Sequence, residues 1–228
     1  MPLHPATDAL LVIDIQNDFC PGGALAVAGG DEIIAGVGRL AVRFDTVVLA
    51  QDWHPADHAS FATQHDQAPF STTRMAYGEQ TLWPNHCVQG SAGADFHPAL
   101  YASGVVNRAS AIIRKGTNPA IDSYSGFFEN DQMTSTGLGA YLKDKGITRV
   151  FVVGLAYDFC VGYTALDARS LGLEATVVTD LTRAIGMPLA QGTTVDAIER
   201  KFAQAGVDRT TANTLLAPAV RTRRHARP

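Results

Sequence analysis

RVFVVGLAYDFCVGYTALDAR, residues 149–169, sets an unbroken apolar run directly ahead of a cysteine and a helix-forming segment. Apolar runs that do not alternate mark strands covered on both faces, as parallel strands are. The reading is a buried strand over 149–154 that hands over to a helix over 160–172, with Cys160 at the helix start. Unpaired N–H groups at a helix N-terminus favour a thiolate and bind an oxyanion. Cys160 is therefore read as a nucleophile.

The same kind of run recurs as LLVI (10–13), TVVLA (46–50) and ATVVT (175–179). Working outward, the pattern predicts strands over 9–14, 45–50, 110–115, 149–154, 174–179 and 211–216, with helices over 31–43, 136–146, 160–172 and 193–206. Gly146 and Gly172 are placed as helix C-caps ahead of strands. Strands alternating with amphipathic segments imply an α/β protein, a three-layer α/β/α domain with a mostly parallel central sheet.

No repeat or low-complexity linker divides the chain, so residues 1–220 read as one domain and the basic tail 221–228 as a frayed end. Two long connections, 53–109 and 116–135, interrupt the regularity. Both contain aromatic residues, and connections of this length in a compact domain usually carry function. They are read as metal-site and lid loops.

The chain has 228 residues, 46% hydrophobic and 18% charged, enough for a substantial core. A formal net charge of −4 argues against a nucleic-acid surface, which needs a clustered basic face. No apolar stretch approaches the roughly 18 residues that would span a membrane. MPLHPATD lacks the basic start and apolar core of a signal peptide, so a cytoplasmic location is the expectation. Three well-separated cysteines, Cys20, Cys87 and Cys160, are expected to be reduced.

Asp14 closes the run ALLVID (9–14) and Lys115 closes AIIRK (111–115). The carboxyl ends of parallel strands converge at one sheet edge, the usual ligand site of open α/β folds. An acid, an ammonium and a thiol then meet there. In QDWHPADHASF (51–61), Asp52 and His54 lie two apart and face one way in an extended segment; WPNHCVQGS (83–91) supplies His86. One carboxylate and two imidazoles suit Zn²⁺, and also Fe²⁺ or Mn²⁺. His58 is read as a residue bonding backbone or a metal-bound water, with ligation as the alternative. His97 is read as structural, and His4, His65 and His225 receive no role.

DIQNDFCPGGALAV (14–27), QDWHPADHASF, LWPNHCVQGSAGADFHP (82–98), IRKGTNPAIDSYSGFFEN (113–130) and GLAYDFCVGYTALDA (154–168) together resemble the nicotinamidases, also called pyrazinamidases, of the isochorismatase-like cysteine hydrolases. The resemblance is ordered and covers roughly residues 9–180. It implies a triad of Asp14, Lys115 and Cys160, and metal ligands at Asp52, His54 and His86. It implies an oxyanion hole from the N–H groups of Ala156 and Cys160, with a cis Leu155–Ala156 peptide. It implies a substrate pocket from Phe19, Leu25, Trp83 and Tyr124.

The implied activity is deamidation of nicotinamide, with pyrazinamide as a second substrate. Another amidase or an isochorismatase-type hydrolase is the alternative, disfavoured by the complete metal set. Phe159 departs from relatives that often carry His or Tyr there, which leaves substrate breadth open. Self-association is expected without a feature that fixes the number of subunits.

Overall fold

The computed structural model describes residues 2–217. Its strands are β1 (Asp8–Ile13), β2 (Thr46–Asp52), β3 (Thr72–Met75), β4 (Gly78–Thr81), β5 (Ala111–Lys115), β6 (Arg149–Leu155), β7 (Glu174–Arg183) and β8 (Asp208–Thr210). Six of them form one sheet in the order β5-β2-β1-β6-β7-β8, and every pairing in it is parallel. β1, β2 and β6 are buried along their whole length. Helices on both faces remove the solvated side that would otherwise enforce alternation, which is why these runs are continuously apolar.

The helices are α1 (Ile34–Ala41), α2 (Pro98–Ala102), α3 (Val105–Arg108), α4 (Leu138–Asp144), α5 (Gly162–Ser170), α6 (Thr194–Ala205) and α7 (Ala212–Leu216). α1 packs with α2, α3 and α7, while α5 packs with α6 and β7, giving the expected three layers. α6 is bounded by local chemistry at both ends. Thr193 and Asp196 form a capping box at its start, and Gly206 closes it in a left-handed conformation. No helix among the described residues is long and apolar enough to cross a membrane.

Three expectations need correction. Residues 211–216, expected as a strand, are the N-cap Thr211 followed by α7. The Thr211 side chain accepts from the Thr214 N–H, and Asp180 Oδ1 accepts from the Ala212 N–H, so the helix start is satisfied locally once the β7–β8 ladder ends at Thr210. The helix expected over 160–172 is preceded by a π-helical turn, Tyr157–Val161, and only then becomes α5. The connection 53–109 is also less bare than expected, since it holds the β3–β4 hairpin and helices α2 and α3. The tail 221–228 lies outside the described residues.

Candidate active site

Parallel register brings the acid, the ammonium and the thiol together. Asp52 and Lys115 are register partners at the ends of β2 and β5. Asp14 follows β1 with φ 48°, a left-handed conformation that Asp tolerates better than most residues, and its N–H still bonds Ala50 O at 3.2 Å. Cys160 sits in the π turn after β6, which lies beside β1. Lys115 Nζ is 2.9 Å from Asp14 Oδ2 and 3.5 Å from Cys160 Sγ, and it donates to Ser123 O at 3.0 Å. Asp14, Lys115 and Cys160 are all buried.

Burial alone disfavours the ammonium, yet Asp14 and Asp52 outweigh it and hold Lys115 well above the ordinary lysine range. Burial pushes Asp14 up to about 6, against the pull of Lys115. Asp14 Oδ2 lies 2.9 Å from the ammonium, and the burial that raises Asp14 favours its protonated form, which suits a group that takes up a proton. The thiolate that a helix start favours is opposed here. Lys115 does pull the Cys160 thiol down, but burial dominates and, with Asp14 and Asp52, pushes it well above its ordinary value. Burial thus favours the protonated sulfur, and a base beside it is what attack requires.

The second cluster lies on the other side of Lys115. Asp52 Oδ2 is 3.5 Å from His54 Nε2 and 3.8 Å from His86 Nε2, and these donors all lie within 4.8 Å of one another. His54 Nδ1 faces Gly116 O at 3.0 Å and His86 Nδ1 faces Pro84 O at 2.8 Å. Each carbonyl can only accept, so Nδ1 carries a proton on both rings, and Nε2 of each ring is the nitrogen turned toward Asp52. His54 Nε2 is buried without a partner. Three converging donors with outer nitrogens anchored on backbone carbonyls fit a divalent ion such as zinc.

His58 sits against His54 at a ring separation of 4.4 Å, and it makes a second group of potential donors with His54 and Asp122. Its own nitrogens are engaged, Nδ1 with Ser60 at 2.8 Å and Nε2 with Ile121 O at 3.2 Å. Burial and the neighbouring His54 push it down to about 4. His97 caps α2, a structural use. Cys20 and Cys87 are free and buried, and burial pushes Cys20 up to about 11 and Cys87 well above the thiol range.

Phe19, Leu25, Trp83 and Tyr124 line one small pocket with Asp52, His86, Ala156 and Cys160. The Leu155–Ala156 peptide is cis. Phe159, noted in the sequence only as a departure, is a wall of that pocket, edge-on to Trp83 at 5.0 Å and to Tyr124 at 5.4 Å. Asp122, Ser123 and Ile185, the last just beyond β7, complete the lining; Ile185 had no signal in the sequence, since an isolated Ile after a strand reads as core. The walls leave about 20 Å³ of free space, room for about one water molecule.

Residues 8–212 match the family described as Isochorismatase domain. The chain is 53% identical to the nicotinamidase of Acinetobacter baylyi over 180 residues, 78% of this chain and 82% of that protein. It superposes on the Acinetobacter baumanii nicotinamidase pyrazinamidase with a TM-score of 0.88 at 46% identity, covering 94% of this chain and 100% of the other. The pyrazinamidase of Pyrococcus horikoshii, solved in complex with zinc, is similar at a TM-score of 0.70 and 31% identity, covering 90% of this chain and 98% of that one. A buried thiol, ammonium and carboxylate beside a three-donor cluster thus sit in a chain that belongs to the isochorismatase domain family and, within it, to the nicotinamidases.

Proposed function

We propose that the protein hydrolyses nicotinamide to nicotinate and ammonia through a thioester on Cys160, with one divalent metal ion, zinc by preference, and that it accepts pyrazinamide as well. The observation that carries this reading is Lys115, whose one ammonium reaches Asp14, Asp52 and Cys160 and so joins the reactive thiol to the three-donor cluster.

Asp14 acts first, accepting the Cys160 proton as sulfur attacks the carboxamide carbon; its elevated affinity for a proton suits that task. The carbonyl π pair moves to oxygen, where the N–H groups of Ala156 and Cys160 receive it; each such donor is worth about 3 kcal/mol of barrier. Collapse of the tetrahedral carbon breaks the C–N bond while Asp14 returns its proton to the leaving nitrogen, releasing ammonia. Asp14 then takes a proton from water as its oxygen attacks the thioester. The C–S bond breaks, the proton returns from Asp14 to sulfur, and the nicotinic acid formed leaves and ionises to nicotinate by losing its hydroxyl proton to solvent.

Asp52, His54 and His86 would hold the ion, and its contribution when bound is to fix the ring nitrogen, directly or through a coordinated water, with the amide over Cys160. Phe19, Leu25, Trp83 and Tyr124 supply flat apolar walls, where ring contacts add about 0.5–1.5 kcal/mol beyond area burial. The deciding experiment measures ammonia release from nicotinamide before and after chelation, with metal content determined on the same sample. Full activity in metal-free protein points instead to another amidase of the family; no release from any carboxamide overturns the reading.

A further inference from the structure

Ten of the residues lining the catalytic pocket are buried, and two, Tyr124 and Ile185, are half-buried and form its rim. Tyr124 is fixed by rings on three sides, Trp83 at 6.2 Å, Phe159 at 5.4 Å and Tyr163 at 5.4 Å. Ile185 is held differently. It lies on the connection between β7 and α6, and that connection is tied down by one carboxylate, Asp158.

Asp158 is buried, two residues before Cys160 in the π turn. Its Oδ1 accepts from the Ile185 N–H at 2.9 Å, and its Oδ2 accepts from the Gly186 N–H at 2.8 Å and from Thr194 Oγ1 at 2.5 Å. The segment carrying the nucleophile thus grips the segment carrying the rim at both of its ends, just after β7 and at the first residue of α6. A carboxylate can accept all three bonds at once, whereas an amide of the same shape offers one acceptor oxygen. With room for about one water molecule in the pocket, a seated ring must press on its walls, and Ile185, half-buried and packed against the core on a connection that Asp158 anchors, is one of the walls it meets.

We infer that Ile185 is the residue that limits the size of substituent a substrate ring can carry, and that Asp158 is the positioning residue that fixes this limit by anchoring the Ile185 backbone to the nucleophile turn. The inference rests on the proposed deamidation of nicotinamide. It extends that reading from the substrate to a determinant of specificity.

The test compares kcat/KM for nicotinamide with kcat/KM for its 5-methyl and 6-methyl derivatives in wild type, Ile185→Ala, Ile185→Phe, Asp158→Asn and the Asp158→Asn/Ile185→Ala double variant. Removing the branched side chain should raise the methylated-to-parent ratio about tenfold or more for at least one derivative, the discrimination one methyl group commands in an apolar pocket. Ile185→Phe should lower the ratio. Asp158→Asn should raise it, and in the double variant the two increases should fail to multiply, because both act through one wall. A merely structural Asp158 would lower stability without moving this ratio. If Asp158→Asn does not fold, the two Ile185 variants decide. Wild-type protein that deamidates nicotinamide while Ile185→Ala leaves both ratios unchanged overturns the inference alone. Wild-type protein that releases no ammonia overturns the deamidation reading and this inference with it.

Discussion

Lys115 donates to Asp52 Oδ1 at 2.5 Å, while the other oxygen of the same carboxylate faces His54 and His86. Asp52 therefore serves two sites at once. Lys115 and its neighbours hold Asp52 well below the ordinary carboxylate range, despite the opposing effect of burial. The carboxylate stays ionised on the side that would meet a cation.

Cys160→Ala should leave the fold intact and reduce ammonia release to below about a thousandth of wild type. Thermal denaturation and a discontinuous ammonia assay on one preparation check both halves. Residual activity of several per cent would exclude covalent catalysis at this position.

Lys115→Met strands Asp14 and Asp52 as buried carboxylates without their cation. Loss of one partner from a buried charge cluster costs about 3–5 kcal/mol, which urea denaturation should register. Because triad residues act as a unit, Asp14→Asn should be nearly as damaging to kcat as Lys115→Met, and the double variant no worse than either.

Gly116 has φ 64°, and a Cβ built there would lie 2.3 Å from His54 Cε1. Gly116→Ala should displace the His54 ring and lower metal content on elemental analysis, as should His86→Ala. His58→Ala should leave the metal content unchanged, because both of its nitrogens already have protein partners. A full metal complement in His86→Ala would transfer the third ligand to His58.

The pH dependence follows from Asp14, raised to about 6 by burial. Only the carboxylate can accept the thiol proton, so kcat/KM should fall about tenfold per pH unit below that value. Stability has the opposite sign. An acid whose folded pKa is raised binds its proton more tightly when folded, so this contribution is present below about pH 4 and is lost as pH rises through about 6. A pH–rate profile that stays flat down to pH 5 would exclude Asp14 as the base.

The convergence of the proposed triad was legible because each residue closes or follows an apolar run: Asp14 after LLVI, Lys115 after AII, and Cys160 just beyond VFVVG. The sheet order sets β5, β2, β1 and β6 side by side, so these ends meet. Ile185 was not legible, because its place in the pocket depends on hydrogen bonds to Asp158 across 27 residues. The strand expected over 211–216 failed for a related reason, since apolar content alone does not reveal that Thr211 and Asp180 supply a helix start.

The sequence by itself determined the layered parallel architecture and the strand ends at which Asp14, Lys115 and Cys160 would meet, because continuous apolar runs permit little but strands buried on both faces and chemistry-bearing side chains cluster where such strands end. Only the tertiary structure decided how deeply Cys160 is buried, the sharing of Asp52 between two sites and the rim of the pocket. Those depend on how completely water is excluded and on which distant groups face one another, and neither is encoded in local spacing.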